Sequence, residues 1–227
     1  MAYSPMVCES RLAPPQEEAL DEYHLYTLAR PTDILQNQTK QVALLSAAAV
    51  PIQRELVVRA SPYGYQSSSK AGWTKLPVTS TLNFINLNGD IGLPLPKGIV
   101  RVYTKDSRGH AQFIGEDEID HTPKGETVTL TLGESFDITV RRKQTDFVKL
   151  GGASPYNYLQ EAAFAMELKN AKPDAVLVTV VEEIPGDWEV LAESQPHTKQ
   201  AAHLAAWQMA IPAEGQATLT WRVRIRY

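Results

Sequence analysis

Between Glu116 and Glu126 the chain sets five carboxylates, Glu116, Asp117, Glu118, Asp120 and Glu126, around one imidazole, His121. A carboxylate and a histidine can share general acid–base work when both come within about 3 Å of one reacting proton. Strand geometry opposes that here. With side chains alternating, Glu116, Glu118 and Asp120 share one face while Asp117, Ile119 and His121 share the other. Neighbouring Asp120 and His121 then point apart unless the following turn reorients them. The simpler role for them is local, since short polar side chains hydrogen-bond the backbone around a turn such as Thr122-Pro123-Lys124-Gly125. The expectation is therefore no catalytic residue. Its alternative is a metal- or sugar-dependent hydrolase centred on Asp120 and His121.

Metal chemistry would have to recruit His110 and His121 with Asp106 or Asp120 from two turn tips, because the chain has no HExxH, paired CxxC or EF-hand loop. It also has no G-x-S-x-G between a strand and a helix, and no Gly-rich phosphate loop. No metal or cofactor is expected. Contact chemistry has more material. Arg222, Arg224 and Arg226 form a basic stripe, and Arg141, Arg142 and Lys143 form a second cluster. Such rows serve as solvated faces or cross-strand ion pairs; as a docking surface they would suit an acidic glycan, a lipid headgroup or a protein. Trp207 and Trp221 fall in phase with apolar neighbours and read as core, whereas Trp73 sits in a loop and is the candidate sugar-stacking ring. The candidate contact residues are thus Asp120, His121, Glu116, Trp73, Arg222, Arg224 and Arg226.

The elements that must position these groups are strands. Val128, Leu130 and Leu132 alternate with threonines, and Phe136, Ile138 and Val140 alternate with Asp137, Thr139 and Arg141, the two-residue period of a half-buried strand. Asp106-Ser107-Arg108-Gly109 and Thr122-Pro123-Lys124-Gly125 carry turn chemistry, and both predict hairpins. Earlier strands are predicted over Tyr23–Leu28, Thr39–Leu45, Pro51–Arg59 and Thr79–Leu87, with a loop from Ser61 to Gly72 and a turn at Asn88-Gly89-Asp90. Gly92–Pro96 is too rich in proline for a central strand. Tyr158–Lys169 has helix-forming composition, yet as a strand it places Phe164, Met166 and Leu168 on one face. Val176–Val181 is apolar on both sides, as a central strand should be. In the last strand Leu219, Trp221, Val223, Ile225 and Tyr227 face inward and the arginines outward.

The pattern predicts an all-β, antiparallel sandwich architecture. A flexible arm covers 1–21, an irregular sandwich 22–150, and a smaller immunoglobulin-like sandwich 155–227 packs on it. The break between them is Gly151-Gly152-Ala153-Ser154-Pro155. At 227 residues with 43% apolar content the chain can bury its core without staples, and Cys8 has no partner for an intrachain disulfide. A net charge of −4 argues against nucleic acid as a partner. The first twenty residues lack a basic leader and an apolar stretch, so they do not read as a secretory signal, and the longest apolar-rich run is too short to span a bilayer; a soluble chain is expected.

Taken together, several segments resemble a known family. They are Tyr26-Thr27-Leu28, Thr39–Val42, Leu93-Pro94-Leu95-Pro96-Lys97-Gly98 with Val100–Tyr103, Ile114–Asp117, Asp120–Glu126, Leu132-Gly133, Arg141-Arg142, Leu168-Lys169-Asn170 and Pro185-Gly186-Asp187-Trp188. From Tyr23 onward the chain is similar to the bacterial domain of unknown function that forms the C-terminal part of mucoidy-inhibitor-like proteins. Longer members carry an N-terminal domain and a coiled-coil-like segment, and many are exported. The resemblance implies a β-rich module, a protein or envelope component as partner, a periplasmic or exported setting, and no accepted catalytic residue.

Overall fold

The computed structural model describes residues 16–28, 31–44, 47, 49–69, 71–87, 92–151 and 158–227. Among these residues fifteen strands follow in chain order: β1 Gln16–Leu20, β2 Tyr23–Thr27, β3 Gln53–Ala60, β4 Thr74–Leu76, β5 Thr79–Ile85, β6 Gly98–Lys105, β7 Ala111–Ile119, β8 Thr127–Glu134, β9 Ile138–Lys149, β10 Leu159–Asn170, β11 Val176–Glu183, β12 Asp187–Glu193, β13 Thr198–Ala201, β14 Leu204–Ile211 and β15 Gln216–Arg226. The all-β expectation holds. The candidate helix over Tyr158–Lys169 is a strand, since alternation buries Ala162, Phe164, Met166 and Leu168, none more than 1% exposed, and tertiary burial outweighs helix propensity.

Two compact units form. The first gathers Met1–Ile52, Asn83–Val100 and Glu118–Thr129; the second gathers Gln53–Leu82, Arg101–Asp117 and Leu130–Tyr227. The expected boundary at residues 151–155 therefore does not divide the chain into sandwiches. A five-stranded sheet runs β12-β15-β10-β9-β4, and a six-stranded sheet runs β13-β14-β11-β3-β5-β8. Strands on both sides of Gly151 share each sheet: β10 pairs with β9 from Asn170↔Ile138 to Gln160↔Lys149, and β11 pairs with β3 through Val178↔Leu56 and Val180↔Val58. The β3–β11 pair is parallel, a departure from the wholly antiparallel arrangement expected. Between the sheets lies a core built on Trp207, Trp221, Phe164, Met166, Leu168, Val58, Val180, Ile211, Leu219 and Ile225. Phe164 stacks on Trp221 at 5.3 Å between ring centroids, and Trp221 meets Trp207 at 5.4 Å.

Three further expectations need correction. Gln16–Leu20, expected in the flexible arm, forms β1 and pairs with β2 from Gln16↔Thr27 to Leu20↔Tyr23; residues 1–15, including Cys8, lie outside the described residues. Residues 39–44 form no strand, because their alternation finds no partner ladder, and residues 45–46 and the Asn88-Gly89-Asp90 turn lie outside the description. Of the two expected hairpins only Asp106–Gly109 is one, joining β6 to β7 with the Gly109 N–H donating to Asp106 O at 2.9 Å. After Thr122–Gly125 the chain changes sheets, β8 pairing with β5 instead of β7.

In the first unit the Pro-rich stretch and the His121 turn lie side by side. Leu95 and Thr122 exchange backbone hydrogen bonds of 2.8 and 2.9 Å, and the Tyr26 hydroxyl donates to Pro94 O at 2.6 Å. Asn86, fully buried, ties both segments down: its side-chain nitrogen donates to Leu93 O at 2.8 Å and to Pro123 O at 3.1 Å. Proline cannot supply ladder donors here, so one amide side chain stands in. Asn86→Ala should cost roughly 2 kcal/mol by removing two hydrogen bonds made by a fully buried amide. Urea unfolding checks this; a loss no larger than that of an exposed asparagine would contradict it.

Candidate functional site

The acid–histidine set resolves into a frame around a single residue. The Lys97 N–H donates to His121 Nδ1 at 3.3 Å, while Lys97 Nζ lies 3.2 Å from Glu118 and 3.5 Å from Asp120. Hydrogen bonding to Glu118, then its charge and the same two effects from Asp120, raise the Lys97 pKa. Asp120 has 92% of its side-chain surface in water, and the local hydrogen bond at this turn comes from Thr122, whose Oγ1 donates to the Asp120 backbone carbonyl at 2.8 Å, instead of from the Asp120 or His121 side chains as expected. His121 borders a groove of about 490 Å³ with Tyr23, Tyr26, Pro94 and Pro96; Glu22 is the one carboxylate among its described lining residues, and Asp120 is not part of it. Asp120 and His121 thus do not converge on one point. Among the described residues no group of three His, Cys, Asp or Glu is placed to hold a metal ion. His110 is engaged locally, with Nδ1 3.5 Å from Asp106 Oδ2 in its own turn.

Glu116 lies on the β6–β7 ribbon and accepts from Arg101 Nε at 2.9 Å. The arginine stripe is an ion ladder. Reading across β9, β15, β10 and β12, the order is Asp146, Arg222, Glu161, Arg224, Glu189, Arg226, Asp187, each charge next to opposite ones. Glu161 lies 3.2 Å from Arg222 and 2.8 Å from Arg224, and Glu189 lies 2.7 Å from Arg226. Hydrogen bonds from Arg222 and Arg226 hold Asp146 and Glu189 below the usual carboxylate range. Three cations face four carboxylates, so the row presents no free basic surface. Trp73, 39% exposed, has the Arg141 guanidinium 5.0 Å from its ring centroid, so one of its faces is already covered; Arg141 is in turn held by Glu167 at 2.6 Å.

A second polar assembly has no local signature in the sequence because its central members, Tyr65, Arg142 and Glu182, are 40 to 117 residues apart. Glu182 is completely buried, and its Oε2 accepts from the Tyr65 hydroxyl at 2.8 Å and from Arg142 Nη2 at 2.9 Å. Trp221 Nε1 donates to the Tyr65 oxygen at 3.0 Å, and Gln160 Nε2 donates to the Tyr65 backbone carbonyl. The Arg142 guanidinium lies 4.0 Å from the Phe164 ring centroid and 5.2 Å from that of Tyr65. A Cβ on Gly64 would come within 2.7 Å of Arg142 Nη1, so glycine admits the guanidinium. Among the described residues Glu182 Oε1 and Arg142 Nε find no hydrogen-bond partner. Burial drives the Glu182 pKa up from 4.5 to about 7, against the opposing pull of Arg142 and Tyr65. Such a shift marks a catalytic candidate when the group lines a cleft. Glu182 has no exposed surface, so nothing reaches it without parting the sheets; what it does is weld the Pro62–Tyr65 turn, β9 and β11 into the core.

Strand parity could have flagged this pair. Arg142 follows Ile138 and Val140 on the inward face of β9, and Glu182 follows Val178 and Val180 on that of β11. Comparison with protein-family models, with curated proteins and with solved structures yields no match. No helix among the described residues is long and apolar enough to cross a membrane.

Proposed function

We propose that this protein is a non-catalytic structural or interaction module, working by contact with a protein or an envelope component at the bacterial cell envelope, as its resemblance to mucoidy-inhibitor-like proteins implies. The observation that carries this reading is the capture of Lys97: its backbone N–H occupies His121 Nδ1, and its ammonium occupies Glu118 and Asp120. The densest acid–base set in the chain is thereby used to hold a loop. Large apolar side chains are meanwhile left in water on regular strands and turns, among them Phe136 at 98% exposure and the ring-to-ring pair Tyr103 and Phe113 at 55% and 54%.

The test is a panel of glycoside, ester and phosphate substrates with the purified chain and its His121→Ala variant. No turnover by either is expected. Hydrolysis that disappears in His121→Ala would end this reading in favour of an enzyme.

A further inference from the structure

At one end of the sandwich β8 passes to β9 through Ser135-Phe136-Asp137 and β10 passes to β11 through residues 171–175. Between them opens a groove of about 660 Å³ with Leu56, Ile114 and Val176 among its lining. An aromatic ring needs about 150 Å³ of apolar space, so the groove has room for a side chain from outside. On its lip stand Phe136, 98% exposed, and Leu177, 56% exposed. Four charged side chains surround these apolar groups, Arg54 and Lys172 against Glu134 and Asp137.

The arginine ladder, Arg141 with Glu167 and Arg142 with Glu182 are all paired, whereas the side chains of Arg54, Lys172, Glu134 and Asp137 make no ion pair or hydrogen bond among the described residues. The rim therefore carries two free cations and two free anions around an apolar knob and an apolar hollow. A surface that binds its own copy about a two-fold axis must be complementary to itself, each feature meeting its counterpart on the other copy. Equal numbers of opposite charges beside both a knob and a hollow meet that condition. A strongly basic or acidic partner would be met by like charge on half of the rim.

We infer that this end of the sandwich is the interface of a symmetric homodimer, in which Phe136 of each copy enters the groove of the other and the four rim charges pair across the axis. The inference rests on the proposed contact function and supplies its partner, a second copy of this chain. Phe136 is the aromatic anchor and the charges are the rim that sets register.

Light scattering on the eluting intact chain reads the mass directly. Twice the 25.1 kDa of one chain is expected at high micromolar concentration. Phe136→Ser, which disturbs nothing buried, should weaken dimerisation about thirtyfold or more, the loss typical of a central anchor, while the far-ultraviolet circular dichroism stays unchanged. Two charge variants then fix the pairing. Arg54→Glu with Lys172→Glu, and Glu134→Lys with Asp137→Lys, should each be monomeric alone and form a mixed dimer when combined. A wild-type chain that remains single would assign the groove to a different partner and overturn the dimer. A dimer that survives Phe136→Ser, or charge variants that stay apart on mixing, would overturn it as well. Hydrolytic activity in the substrate panel would leave this result untouched, so the two readings fail separately.

Discussion

Arg142→Leu should cost about 3–5 kcal/mol at pH 8, the loss found when one member of a buried ion pair is removed and the other is stranded. Among the described residues Glu182 would be left with the Tyr65 hydroxyl as its hydrogen-bond partner, and Phe164 would lose the guanidinium that lies 4.0 Å from its ring centroid. Urea unfolding measures the loss. Changing both partners, Arg142→Leu with Glu182→Leu, should recover most of it, since paired apolar groups need no desolvation. A single variant within about 1 kcal/mol of wild type would contradict a structural role for the pair.

The sign of the accompanying pH dependence follows from the Glu182 carboxyl. Its pKa in the folded chain, about 7, lies above its ordinary 4.5, so between those values the folded state holds a proton that the unfolded state has released. The contribution of this group to stability is complete below pH 4.5 and is lost as pH rises through 7. One pKa unit is worth about 1.4 kcal/mol, which makes the change across the window about 3 kcal/mol. Asp106, Asp146 and Glu189 act in the opposite sense, their pKa values being lowered, and their contributions are lost below the ordinary carboxylate range. The wild-type melting temperature should therefore fall between pH 4.5 and 7 relative to that of Glu182→Gln. Parallel curves for the two proteins would refute the buried, proton-holding state of Glu182.

The second large effect is a truncation. Residues 154–227 expressed alone should show no cooperative melt, in contrast to the whole chain. In the folded protein β10 is flanked by β9 and β15, and β11 by β3 and β14. Removing β3, β4 and β9 strips one side of β10 and one side of β11, uncovering backbone donors and acceptors along both central strands. The same cut removes Val58, Tyr65, Ile138 and Val140 from the core, leaving Phe164, Met166 and Trp207 partly in water. A sharp thermal transition from that fragment would mean that the later strands rearrange into a sandwich of their own.

Much of this architecture was legible residue by residue. The alternation in Leu219–Ile225 predicts the buried face of β15 correctly, and Phe164, Met166 and Leu168 do point into the core. Glu118 and Asp120, which alternation places on one face, both reach Lys97 Nζ. Of the candidate contact residues, the charged ones, Glu116, Asp120, Arg222, Arg224 and Arg226, are all engaged in ion pairs in the fold. Glu161, Glu189 and Asp187, which engage the last three, come from β10 and β12, and no local pattern announces that those strands flank β15.

The order of side chains along the chain determined by itself that the fold is built of strands and which face of the strongly alternating segments is apolar, since these depend on steric and solvation preferences acting over a few residues. Which strands become neighbours was decided only by the tertiary structure. A strand's two edges offer the same backbone donors and acceptors to any partner, so the parallel pairing of β3 with β11 and the joining of β9 to β10 across residues 151–155 rest on how the whole set of apolar faces can be buried at once. The meeting of Tyr65, Arg142 and Glu182, and the groove beside Phe136, exist because of that choice.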